Sequence, residues 1–165
     1  MKSLRIAAAL AFLLAATAAV AQSDAKSTFE HLKSLNGTWE GKANNSNPVK
    51  IVFRSTSGGS ALMSEIMGDE DMISMFHVDN DRVLMTHYCA AGNQPRMQAS
   101  MSPDGKTITF TFVDATNLAS PNAGHMNHVV ITIADADHHS EDWTFAMDGK
   151  EMKEHFELAR AKASM

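Results

Sequence analysis

Cysteine is nearly absent from this chain: Cys89 stands alone among 165 residues. An internal disulfide is therefore excluded, and the fold must rest on its apolar core. Positive charge is also scarce, with 14 Lys and Arg against 19 Asp and Glu. Clustered cations of the kind that hold nucleic-acid phosphates or an anionic membrane surface are missing. After residue 21 no apolar run is long enough to span a bilayer as a helix, and no charged stop-transfer cluster follows the first one.

That first apolar run reads as an export leader. Lys2 and Arg5 supply a basic start, Ile6 to Ala16 is apolar or small, and Ala19-Val20-Ala21 satisfies the small-x-small rule for cleavage before Gln22. The residue at the cleavage point is Gln22 and the one cysteine is Cys89, so a lipid-anchored form is not expected. Residues 1–21 are assigned as signal peptide and 22–165 as one domain, periplasmic or secreted. Losing Lys2 and Arg5 takes the basic count to 12 and the formal charge from -5 to -7.

In the mature part, residues 24–35 carry helical spacing, with Phe29, Leu32 and Leu35 on one face and Asn36-Gly37 as a stop. Ser27 and Glu30 have the spacing of a capping box. His31 falls on the polar face. From Thr38 the pattern turns to short strands, expected at 38–42, 49–54, 60–67, 72–77, 82–89, 96–101, 107–113, 126–133, 142–147 and 151–158. They are separated by turn formers such as Ser57-Gly58-Gly59, Asp79-Asn80-Asp81, Pro103-Asp104-Gly105 and Asp148-Gly149. Connections this brief exclude a parallel sheet. The reading is an all-β, antiparallel up-and-down barrel of about ten strands with one short N-terminal helix, closure removing the exposed edges; an open sandwich is the alternative. Residues 114–124 form the longest connection and read either as a flap over one mouth or as an ordinary surface loop.

Rare residue types crowd between Met85 and Met97. Alternation puts Val83, Met85, His87 and Cys89 on one strand face and Arg82, Leu84, Thr86 and Tyr88 on the other. Thioether, imidazole and thiol on one face suit Cu(I) if a neighbouring strand adds a ligand; the same residues also serve as ordinary core. Cys89 with His87 is an alternative nucleophile pair, with the loop amides facing an oxyanion, but no third orienting group or nucleophile motif accompanies it. Asn93, Gln94 and Arg96 stand where a barrel rim would hydrogen-bond a polar group of a ligand or cap their own loop. His125 and His128 point to opposite faces of one strand, so they cannot share a zinc ion, while either one can face the lumen. Glu65 alternates with Ala61, Met63 and Met67: inward it is a ligand anchor, outward an ordinary charge. His138-His139, among Asp135, Asp137 and Glu141, reads as a solvated turn. His77 ends a strand without a special partner.

Leu35-Asn36-Gly37-Thr38-Trp39-Glu40-Gly41 resembles the opening of lipocalin-like (calycin) barrels, in which a helix runs into Gly-x-Trp on the first strand. The rest of the mature chain, through Met72 to His77, His87 to Met97, Trp143 and Phe156 to Arg160, resembles an uncharacterised family of exported bacterial proteins of this size. The resemblance implies Trp39 as the plug of one barrel end and a small, largely apolar ligand, or a haem, in the lumen. A related ten-stranded group, the nitrobindins, holds haem through a histidine near the C-terminal end, where this chain has His155.

Overall fold

A computed structural model describes residues 24–44, 47–68 and 70–162; the expected leader lies outside them. Helix α1 spans residues 24–33. Ten strands follow among the described residues: β1 Gly37–Ala43, β2 Pro48–Thr56, β3 Ala61–Met67, β4 Met72–Asp79, β5 Arg82–Tyr88, β6 Gln94–Met101, β7 Thr107–Thr116, β8 His125–Ile133, β9 His138–Met147 and β10 Lys150–Arg160. Each pairs antiparallel with its neighbours in sequence, and β1 pairs with β10, so the sheet closes into an up-and-down barrel. Among the described residues no helix is long and apolar enough to cross a membrane.

Period-two patterning explains each wall. In β3, Leu62, Ser64 and Ile66 are buried while Ala61, Met63, Glu65 and Met67 are only partly so; in β5 the buried set is Val83, Met85 and His87. One core results, with Phe53, Phe76, Phe110, Leu62, Met85, Met97, Ile108 and Ile131 almost wholly out of water. Closure demands one close approach. A Cβ at Gly41 would collide with the Glu157 carbonyl on β10, so the β1–β10 seam tolerates only glycine there.

The two ends of the barrel differ. At one end α1 lays Ala25, Phe29 and Leu32 into the core, and the turn after it adds Leu35 and leads to Trp39, which is fully buried. The Trp39 indole N–H donates to the Leu35 carbonyl at 2.7 Å. Arg160, the last residue of β10, stacks its guanidinium 4.2 Å above the Trp39 ring and donates to the Ser34, Asn36 and Ala136 carbonyls. The Ser34 and Asn36 contacts satisfy carbonyls just past the end of α1, and together the three tie β10 to this end. The β1–β2, β3–β4, β5–β6, β7–β8 and β9–β10 connections start and end at the other end, the mouth.

Several boundaries differ from the sequence expectation for identifiable reasons. α1 is already helical at Asp24, so Ser27 lies inside it rather than capping it, and Glu30 pairs with Lys33 at 2.7 Å. His31 Nε2 is buried without a partner, so that side chain is not simply on a polar face. β9 starts at His138, four residues early. Its inward positions begin with His139 and Glu141, both buried, and a polar pair at inward sites hides the alternation that marks a strand. β7 runs to Thr116 past a bulge between Arg96 and Met97, which shortens the long connection to residues 117–124.

Candidate functional site

The β5–β6 hairpin and the 117–124 loop build one half of the mouth. Cys89 N–H donates to the Asn93 carbonyl and Gly92 N–H returns to the Cys89 carbonyl, with Gly92 at φ 81, a conformation glycine adopts freely. The Asn93 side chain is buried and its Nδ2 donates to the Gly124 carbonyl at 2.7 Å, latching the loop to the hairpin. Gln94 Oε1 accepts from Thr116 Oγ1 and Asn117 Nδ2. Asp148 N–H donates to the Asn122 carbonyl from the far side. Gly124 sits directly on β9, where an added Cβ would come within 2.5 Å of Phe145 and 3.3 Å of the Met147 sulfur. The loop is thus tied to both β6 and β9 at the mouth.

His125 lies at the base of this cover. Its ring is 4.6 Å from that of Phe112, and its Nδ1–H donates to the Ala123 carbonyl at 2.7 Å, which assigns the proton because a carbonyl can only accept. His128, beside inward Val129, lies on the outer face opposite Thr111 and Thr144, and a bulge between Met126 and His128 shifts the phase so that Met126 packs against the core. Two more of the expected rim or lumen residues face out. Glu65 shares the half-exposed outer face of β3. Arg96 forms a two-pronged pair with Asp114 on the outer surface, both side chains about half exposed (49% and 48%), which raises the guanidinium pKa and lowers that of the carboxyl.

Inside the barrel the inward polar residues form a chain. Ser74 Oγ lies 2.9 Å from His87 Nδ1, and the His87 ring packs 4.9 Å from that of Trp143. The Trp143 indole donates to Glu141 Oε2 at 2.8 Å, Glu141 Oε1 lies 3.2 Å from His139 Nε2, and His139 meets Trp39 edge-on at 4.3 Å. Every member is buried. His139-Glu141 is therefore core rather than the solvated turn expected of it; only His138, bound to Asp135, fits that description. Two imidazole nitrogens, His87 Nε2 and His139 Nδ1, have no partner. Burial lowers the His87 pKa to about 4, so the ring is neutral at ordinary pH.

Met85, His87 and Met97 share the inward face, with Met85 directly opposite Met97. Cys89, the fourth residue of the expected set, is only half-buried at the start of the loop. Burial pushes its thiol pKa up, the Ala91 backbone hydrogen bond opposes that, and the nearby Glu70 charge adds to it. A thiol raised in this way is the reverse of an activated nucleophile. The histidine to which the haem analogy pointed is not in the lumen. His155 faces outward from β10, bonded to Asp142 at 2.7 Å and Glu157 at 2.9 Å, with its pKa raised by those carboxylates, while Phe156 and Leu158 take the inward positions.

The other half of the mouth holds a cavity of about 410 Å³. Ala43, Val49, Ile66, Met72 and Phe156 form its apolar wall, with Glu70 and Glu154 among its lining. The sequence reading assigned none of these to a site. Alternation marks Val49, Ile66 and Phe156 as inward, but which barrel end stays open depends on where α1 docks. The large apolar side chains exposed among the described residues, Ile73, Tyr88, Val113, Met147 and Met152, all stand on the mouth half of their strands.

No protein-family model matches the chain, and no curated protein matches it in sequence. Solved structures do. Rv2717c from M. tuberculosis superimposes with a TM-score of 0.56 at 16% identity, over 82% of this chain and 98% of that one. A protein of unknown function from the DUF3598 family of Nostoc punctiforme gives 0.55 at 11% identity, over 78% of this chain, which spans 48% of that chain. These likenesses define the class as a closed ten-stranded barrel and carry the fold alone.

Proposed function

We propose that this protein is an exported binding barrel that takes a small, largely apolar molecule into its mouth. The observation that carries the reading is the apolar-walled cavity at the end opposite the helix plug. Its volume falls in the range of small-molecule sites, and a few polar groups beside apolar walls are what such sites use for orientation. Below it the barrel is filled by Phe53, Phe76 and Phe110, so a ligand occupies the mouth rather than the whole lumen. The exposed apolar side chains around that end favour approach of an apolar molecule. The leader at residues 1–21 supports export, and the raised Cys89 thiol favours binding over catalysis.

A homologous series of alkyl probes tests this. Affinity should tighten about fourfold for each added methylene until the cavity is full and then level off, since burying one CH₂ contributes about 0.8 kcal/mol. Ile66→Trp should shorten the series by filling the wall. An affinity independent of chain length, or unchanged in Ile66→Trp, would overturn the assignment.

A further inference from the structure

We propose that the inner face of the β5–β6 hairpin is a second, independent site that binds one Cu(I) ion through His87 Nε2 and the thioethers of Met85 and Met97. The imidazole is held as a ligand would be. Its Nδ1 lies 2.9 Å from Ser74 Oγ on β4, and when Nδ1–H donates there the Nε2 lone pair is left free. Metal-bound histidines characteristically carry such a bond on the other ring nitrogen, which sets both tautomer and orientation. Nε2 itself is buried without a protein partner. An unmet polar atom in a core costs about 1–3 kcal/mol, and a bound ion removes that cost.

The sulfurs are placed by the sheet. Met85 precedes His87 by two residues on the same face, and Met97 is the cross-strand partner of Met85. All three side chains are fully buried. Same-face neighbours are about 7 Å apart along a strand and directly opposed Cβ atoms about 5 Å apart across it. Methionine's three rotatable bonds span those separations without backbone movement. Two thioethers and a neutral imidazole are soft, uncharged donors, the set that selects Cu(I) over harder ions. Among the described residues no three His, Cys, Asp or Glu side chains are grouped to hold a metal. The walls are apolar or aromatic, with Trp143 4.9 Å from the His87 ring and Phe76 paired with Met85. A monovalent ion with uncharged donors is the cation such surroundings tolerate best. The trio differs from the one that strand alternation alone suggests: Met97 replaces Cys89, which sits half-exposed at the loop.

The test is anaerobic titration of the full chain with Cu(I) against bicinchoninate, with X-ray absorption on the loaded protein. One equivalent should bind, with about two sulfur and one nitrogen neighbours. The double variant Met85→Leu/Met97→Leu, close in volume, should keep the fold by circular dichroism and lose binding. Ser74→Ala should weaken it about 10–100-fold, as loss of a supporting hydrogen bond does. Cys89→Ser should change nothing. Failure of the wild type to compete for Cu(I), retention of binding in the double variant, or loss of binding in Cys89→Ser would each overturn the proposal. A folded wild type makes the first outcome decisive whatever the variants do, and none of these results bears on the alkyl series at the mouth.

Discussion

His87 links acid stability to the barrel interior. Its folded pKa of about 4 lies below the ordinary histidine value of 6.5, so between those pH values the unfolded chain binds a proton that the folded chain refuses. Stability therefore rises with pH across that window: the contribution is fully present above about 6.5 and is lost as pH falls toward 4. At about 1.4 kcal/mol per pKa unit the loss is on the order of 3 kcal/mol. Urea unfolding at pH 7 and pH 4.5 should show it, and His87→Gln should flatten the difference. His155, whose raised pKa acts in the opposite direction, is too exposed to offset it. Glu141 makes a second residue-scale case. Glu141→Ala leaves the Trp143 N–H and His139 Nε2 unpaired in the core, and a loss of about 3 kcal/mol or more is expected in the urea midpoint.

Among the elements, the 117–124 loop is held by few bonds and is the one expected to open. Asn93→Ala removes the bond to the Gly124 carbonyl and should speed hydrogen exchange in that loop while lowering global stability by only about 1 kcal/mol. Equal loss of protection in β1 to β4 would show instead that the latch supports the whole barrel. The opposite behaviour is expected at the seam. Gly41→Ala forces a Cβ against the Glu157 carbonyl backbone, which cannot swing aside as a side chain can, so a thermal scan should show a loss of about 3 kcal/mol or more, or no soluble barrel.

At the scale of the whole molecule, strand number, antiparallel order and the N-terminal helix were legible in the sequence because each rests on local chemistry. Turn formers between short alternating runs permit little besides sequential hairpins, and Gly37, Trp39 and Gly41 follow the helix closely enough to mark the plug. Placement of the candidate site residues was legible only in part. Alternation put Met85 and His87 on one face, and the core confirmed that they share it. The same rule failed at His125 and His128, where a bulge breaks the period, and at His139 and Glu141, where polar residues stand at inward positions. It was silent for Glu65 and Arg96, because a pleat defines two faces without saying which one is inside. The choice of face, the partnership of Met97 with Met85, and the openness of one end are long-range facts. They arise when β1 meets β10 and α1 covers one mouth, since only closure divides space into lumen and solvent. The sequence by itself determined the parts and their order, through torsional preference and hydrophobic period; the tertiary structure decided what the interior contains.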